Sequence, residues 1–202
     1  ASLIANAVTC TVPYSVTVFL EGYYQGSGTM TSVLANQGVA NATATQADTI
    51  MVELRSVADP SIIVSTVSGI LSVTGNANFI FPSAVSANSY WMVVKHRNSL
   101  ETWSATPVTM SANGSYNFSD AATKAYGGNE VDMGGGVYAI YAGDMNLDGF
   151  VDAFDYPLFD SDRYNFQSGY FSTDLNGDGF VDNFDYPVFD FNRFGFVSAV
   201  TP

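Results

Sequence analysis

Two rhythms divide this chain. Up to about residue 110, apolar and polar residues alternate in short runs: YSVTVFLEGYY (14–24), DTIMVELRSV (48–57), NANFIFP (76–82), SYWMVVKHR (89–97) and WSATPVTM (103–110). Successive side chains of a strand point to opposite faces, so a period of two predicts strands with one face buried. Polar stretches with Gly and Asn, such as ANQGVANATATQ and YGGNEVDMGGG, read as connections, and DAATKAY reads as a short helical turn. Five or more strands at this spacing predict a β-sandwich over residues 1–141, immunoglobulin-like or prealbumin-like.

From residue 142 the alternation gives way to a duplication. Residues 144–172 and 174–202 align without a gap, so that DMNLDGFVDAFDYPLFDSDRYNF faces DLNGDGFVDNFDYPVFDFNRFGF with roughly half the positions identical. Repeats this short predict paired units that cannot fold singly. In each copy, oxygen-bearing side chains stand at loop positions 1, 3, 5, 9 and 12, with glycine at 6. The first set is Asp144, Asn146, Asp148, Asp152 and Asp155 around Gly149; the second is Asp174, Asn176, Asp178, Asp182 and Asp185 around Gly179. Ca2+ takes six to eight oxygens at about 2.3–2.6 Å, and a chain wraps it only by turning sharply at position 6, where glycine reaches positive φ without a Cβ clash. Position 7, Phe150 or Phe180, contributes its backbone carbonyl. Position 8, Val151 or Val181, predicts a short β-contact that pairs the two loops. The Asp-Tyr-Pro after each loop predicts helices that start at Pro157 and Pro187.

Charge sharpens this picture. The net charge of -13 argues against nucleic acid or an anionic membrane surface as partner. Residues 1–143 carry eight acids and four bases, whereas residues 144–202 carry eleven acids and only Arg163 and Arg193, a net of -9. Two bound Ca2+ ions would bring that segment to about -5, which makes the metal a folding component. Aromatics are concentrated there too: 15 of 59 residues, against 14 of 143 before. So small a unit has little interior to receive them. Part of this set is expected in a mini-core and part in an apolar patch that another molecule covers.

The paired loops resemble the duplicated calcium loops of dockerin domains: a loop and an exiting helix, no entering helix, and aspartate at position 12. The resemblance covers about residues 142–202 and implies a small α-helical domain holding two Ca2+ ions. It also implies a non-catalytic module that docks onto a cohesin partner. Two departures are visible. Positions 10 and 11, small and polar in dockerins, are Ala153-Phe154 and Asn183-Phe184, and a proline follows each loop. The block VVKHRNSLETWS, then GGGVYAIYAGD and the loops, resembles a module at the C-terminal ends of large secreted bacterial surface proteins. That implies a secreted, extracellular or cell-surface location.

The expected fold is therefore mainly β: a β-sandwich followed by a dockerin-like duplicated calcium-loop domain. No catalytic residue is assigned. His96, the only histidine, reads as structural at a strand end, the carboxylates are committed to the loops, and nucleophile, phosphate-loop and zinc motifs are missing. The charge-free stretch ASLIANAVTCTV (1–12) reads as an edge strand of its own sandwich or as an arm added to a neighbour's sheet. Cys10 has no internal partner, and Ala1 in place of Met suggests processing. The expected function is a non-enzymatic, calcium-stabilised extracellular structural protein that self-associates in a filament or adhesive layer, with strand addition as one route. The alternatives are a monomeric dockerin-type module that docks a surface protein to a cohesin-like partner, and a carbohydrate-binding module using the tyrosines and Trp91 or Trp103. No direct membrane insertion is expected.

Overall fold

The computed structural model describes residues 11–202. The arm reading of residues 1–12 thus lies largely outside the described residues. Thr11 and Val12 already belong to β1 (Thr11–Thr17), whose alternate residues Val12, Tyr14 and Val16 are buried.

The run 14–24 is not one strand. After Thr17 the chain leaves the ladder, Glu21–Tyr23 forms a 3-10 turn, and β2 (Tyr24–Gly26) pairs with β3 (Thr29–Met30) as a separate ribbon. The cause is tertiary. The Glu21 carboxylate accepts from the Ala142 N–H at 2.9 Å and from Asn192 Nδ2 at 2.6 Å. A Cβ on Gly22 would meet the Leu175 carbonyl oxygen at 2.1 Å. This stretch is bent to receive the C-terminal segment.

A single helical turn, α1 (Val33–Asn36), precedes β4 (Gln46–Arg55), β5 (Ile63–Ser72), β6 (Asn76–Pro82), β7 (Ser89–His96) and β8 (Ser99–Trp103). The run 103–110 is also corrected. Trp103 ends β8, Pro107 cannot donate to a ladder, and only β9 (Val108–Thr109) returns to pair with β7. β10 (Gly114–Asn117) follows. β11 (Val131–Gly134) and β12 (Val137–Ala139) form a hairpin inside a region that reads as connection. Its turn is made by Gly134, Gly135 and Gly136, all at positive φ. The stretch DAATKAY holds 3-10 turns.

One sheet runs β5-β4-β7-β8 with β9 also on β7. The other runs β10-β1-β6, with β1 parallel to β10 and antiparallel to β6. Ile50, Val52 and Leu54 of β4, Met92 and Val94 of β7 and Leu71 of β5 share one core with Val12, Tyr14 and Val16 of β1 and with Ala77, Phe79 and Phe81 of β6. The chain is mainly β, as its alternation implies. Among the described residues no helix is long and apolar enough to cross a membrane.

The two longer helices, α2 (Tyr156–Tyr164) and α3 (Tyr186–Phe194), begin one residue before the prolines, which occupy the first turn. A second core gathers Met145, Val151, Phe159, Leu175, Val181 and Phe189 around Leu100 of β8, so the sandwich supplies a residue to the repeats' interior. The two loops do not pair with each other at position 8. Val151 N–H donates to the Val197 carbonyl and Ala199 N–H to the Gly149 carbonyl (2.9 and 2.8 Å). Val181 N–H donates to Gln167 and Gly169 N–H to Gly179 (both 2.9 Å). Each loop is thus stitched to the segment that follows the other repeat's helix.

Among the described residues, the buried side-chain atoms without a hydrogen-bond partner belong to Glu130, Asn192 and Arg193, and Glu130 is the one with neither polar atom satisfied. It is buried, neither carboxylate oxygen has a hydrogen-bond partner, and burial, reinforced by Asp120, pushes its pKa up to about 9. The folded chain keeps a proton that the unfolded chain releases near its ordinary value of 4.5. Stability from this group is therefore complete below that value and lost as pH rises towards 9. Urea unfolding is expected to show stability declining across this window. Glu130→Gln should flatten the decline and exceed the wild-type protein near pH 8; an unchanged slope would contradict the assignment.

Candidate functional site

The two loops are built around their position-1 and position-12 aspartates, and all four of these side chains are buried. Asp155 reaches back across its loop, accepting from the N–H groups of Met145 (2.7 Å), Asn146 (3.1 Å) and Asp152 (2.9 Å). Asp185 repeats this with Leu175, Asn176 and Asp182 at 2.7, 3.0 and 2.9 Å. Each stands at the N-cap of its helix yet makes no side-chain cap bond, because its oxygens are turned into the loop. Asp144 accepts from Asp148 and Gly149 N–H at 3.1 Å, and Asp174 from Gly177 and Gly179 N–H at 2.8 and 2.9 Å. Gly149 and Gly179 sit at φ +88° and +95°, the sharp turn their position requires.

The remaining expected ligands lie where their positions in the loop put them. Asn146 and Asn176 accept from the N–H of Asp148 and Asp178, and these aspartates accept in turn from Phe150 and Phe180. Asp152 and Asp182 accept from Phe154 and Phe184 N–H. The side chains are thus drawn onto loop amides, and among the described residues no group of three or more Asp, Glu, His or Cys stands in the arrangement of a metal centre.

The electrostatics are one-sided. Burial pushes the pKa of Asp144 up to about 6 and that of Asp185 up to about 7, and it raises Asp155 and Asp174 as well. Both arginines of the segment are engaged elsewhere, Arg163 with Asp160 at 2.7 Å and Arg193 with Asp190 at 2.5 Å. Among the described residues none of the ten oxygen-bearing loop side chains is in an ion pair. Carboxylate, amide and carbonyl oxygens with no cation among them are a donor set suited to a hard divalent ion.

The loops differ in setting. Position 4 takes positive φ in both, at Leu147 (φ +60°) and Gly177 (φ +76°). Leu147 is exposed and carries its side chain into solvent. A Cβ on Gly177 would lie 2.4 Å from Val33 Cγ2 and 3.0 Å from the Tyr23 ring, so only glycine fits. The second loop is pressed into the sandwich. Gln37 Nε2 donates to Asp174, Asn36 Nδ2 to the Gly177 carbonyl at 3.1 Å and Asn98 Nδ2 to the Asp174 carbonyl at 3.3 Å.

Arg97 is the hub of that contact. Its guanidinium donates to Asp48 at 3.0 Å, to the Tyr23 hydroxyl at 2.6 Å, to Gln37 at 3.2 Å and to the Phe171 carbonyl, and it lies 4.3 Å from the Tyr170 ring centroid. Burial pushes the Asp48 carboxyl up, but His96, Arg97 and Tyr170 together hold it well below its usual range. His96 is buried between Asp48 (3.1 Å) and Ser99 (3.0 Å), and its own burial pushes its pKa down. Gln37, Asn98, Asn192 and Glu21 also join the two units, and no sequence motif marks them. The visible signal is Arg97 itself, a base beside the only histidine of a very acidic chain.

Four aromatic positions are exposed in both repeats: Phe150 and Phe180, Phe154 and Phe184, Tyr164 and Phe194, and Phe166 and Phe196. The last pair is 89% exposed and has φ of +51° and +52°. A left-handed residue after a helix is usually glycine, and a bulky residue there is an outlier. Asn165 and Gly195 stand one position earlier, yet the phenylalanines take the left-handed turn. A cleft of about 420 Å3 opens beside Phe166, between Arg163 and Tyr164 of one repeat and Val181, Asp182 and Asn183 of the other. Of the tryptophans, Trp103 is buried under Arg55, and Trp91 is half-buried and meets Tyr126 edge to face.

No family model and no curated protein matches this sequence. Solved structures do. Two crystal structures of a type II cohesin–X-dockerin complex from Acetivibrio cellulolyticus, one an N-terminal and one a C-terminal interface mutant, match at TM-scores of 0.51 and 0.52. In both, identity is 15%, and the likeness covers 90% of this chain and 95% of the other. The chain shares its fold with a component of those complexes.

Arg97→Ala should destabilise the protein by about 3–5 kcal/mol in denaturant titrations, since it strands the Asp48 charge in the interior. Phe166→Gly and Phe196→Gly should each stabilise it by about 0.5–1 kcal/mol by relieving the left-handed turn, less the entropy glycine adds to the unfolded chain. Unchanged or lower thermal midpoints in both glycine variants would contradict the strain.

Proposed function

We propose that this protein is a non-enzymatic, calcium-stabilised extracellular building block whose paired loop–helix unit docks a protein partner. The observation that carries the reading is the burial of Asp144, Asp155, Asp174 and Asp185 with no cationic side chain in ion-pair contact. Buried carboxylates persist when a cation compensates them. Two Ca2+ ions would be held by Asp144, Asn146, Asp148, Asp152, Asp155 and the Phe150 carbonyl, and by Asp174, Asn176, Asp178, Asp182, Asp185 and the Phe180 carbonyl. The ions supply positive charge and fix the loops; they take part in no reaction. The chain's own residues do the rest. Position-12 aspartates close each loop, Arg97 holds the unit to the sandwich, and the repeated aromatics meet the partner.

Exposed rings at equivalent positions of two repeats offer a partner apolar area that the unit's small interior leaves in solvent. Both Phe166 and Phe196 keep a strained backbone to remain outside, as interaction sites do. The likeness to cohesin–X-dockerin complexes favours a second, narrower reading, a dockerin-type module whose partner is cohesin-like. Phe154 and Phe184 would then give that contact a more apolar character than small polar residues allow.

Calorimetric titration of chelator-treated protein is expected to show two Ca2+ ions per chain. Calcium at 100 times Kd should stabilise by about 2.7 kcal/mol per site, and Asp155→Ala or Asp185→Ala should remove one site each. Absence of binding, with a thermal midpoint indifferent to EDTA, would overturn the calcium reading.

A further inference from the structure

We propose that the cavity between the first loop and the outer face of the larger sheet binds an organic cation with an apolar body. The inference goes beyond the docking and calcium readings above and depends on neither.

The cavity measures about 660 Å3, within the ~300–1,000 Å3 usual for small-molecule sites. One wall is made by Thr49 and Met51 of β4, Lys95 of β7 and Glu101 of β8. Thr49 and Met51 alternate with Ile50 and Val52, which are buried in the sandwich, so they leave the sheet on its other face. Leu147 and Phe150 of the first loop, with Tyr170, supply the large apolar surfaces. These three side chains are exposed and belong to neither hydrophobic core, so the fold itself gains little from them.

Leu147 is the most telling of the three. It takes the left-handed conformation (φ +60°) that the second loop gives to Gly177. Glycine would hold this turn without strain, whereas a leucine there is disfavoured. A bulky side chain kept in a costly conformation, at the rim of a cavity and outside any core, is the kind of strain found at ligand clamps.

Charge selects the ligand. Lys95 is paired with Glu101 at 3.0 Å and Arg97 with Asp48 at 3.0 Å, so the cationic groups of the lining are already compensated. Asp144 and Asp148 also line the cavity, and among the described residues neither is in an ion pair. The first loop carries Asp144, Asp148, Asp152 and Asp155, a charge of -4, and a bound Ca2+ would leave -2, the same sign. The faces of the Phe150 and Tyr170 rings add negative potential. Tyr170 already holds one cation in this way, the Arg97 guanidinium 4.3 Å from its centroid. An anion would meet carboxylates here; an ammonium on an apolar stem meets rings and carboxylates together.

Phenylbutylamine, phenylbutyrate and phenylbutanol share one kind of apolar body and differ in charge. Added to the full chain, the amine is expected to bind about tenfold more tightly than the alcohol and to shift the NMR amide signals of Met51, Lys95 and Phe150. The butyrate should not bind. Leu147→Gly should abolish amine binding while its thermal midpoint holds or rises. Thr49→Trp, which fills the cavity from the sheet side, should abolish it too, and Ile80→Ala, exposed on the other sheet, should leave it unchanged. Equal binding of the three compounds, signal shifts confined to the surroundings of Phe166, or wild-type affinity in either folded cavity variant would overturn the inference. Titration in EDTA separates it from the calcium reading. Amine binding in a chain that takes up no calcium supports this inference alone, and calcium uptake in a chain that binds no amine overturns this inference alone.

Discussion

Eleven carboxylates and two guanidinium groups share the last 59 residues, and the handling of that imbalance organises the C-terminal unit. Two like charges 4 Å apart repel by about 4 kcal/mol at an effective dielectric of 20, so the chain cannot simply bring them together. It spends its backbone amides instead. Asp155 and Asp185 each gather three N–H groups from their own loop, and Asp144 and Asp174 gather two. The loop path, the glycine at position 6 and the place where each helix starts all follow from those contacts. Amide dipoles carry partial charge only, so the proposed ions would complete the compensation.

Sequence pattern and structure agree where the determining contacts are local. Alternation located β1 and β6, each with one buried face, and β4 and β7, where Glu53 and Val93 are buried on the other face as well, and the duplication located the loops because their turns depend on residues a few positions apart. Disagreement begins where the deciding contact is distant. Glu21 and Gly22 belong to an apparently good strand, but Ala142, Leu175 and Asn192 claim them. β5 escapes notice because Ser65 and Gly69 interrupt its inward row with Val67 and Leu71, and its outward face carries exposed Val64 and Ile70. The exchanged pairing of the loops is invisible too, since Val151 and Val181 have the same apolar character whichever segment they meet. Of the candidate site, the ten oxygen-bearing side chains were legible, whereas the residues that seat the second loop, Gln37, Arg97 and Asn98, carry no local pattern.

The two repeats have diverged according to what surrounds them. The first loop faces solvent and tolerates Leu147 in a left-handed turn, while the second is wedged against Tyr23 and Val33 and has room only for Gly177. Four of their exposed aromatic positions are shared, whereas Phe191 and Tyr170 face Ser161 and Val200 in the other copy. Not every open ring points away from the sandwich, since Phe150 lines a cavity with Thr49, Met51 and Lys95.

The crossed stitching of the repeats has a consequence for how such a unit could arise and come apart. Neither half closes on itself, because the strand partner of each loop is found beyond the other half's helix. A solitary repeat would be an unfinished clasp, completed only by a twin, so two separate chains could make first what one fused chain makes now. By the same token, a cut between the halves need not release either of them.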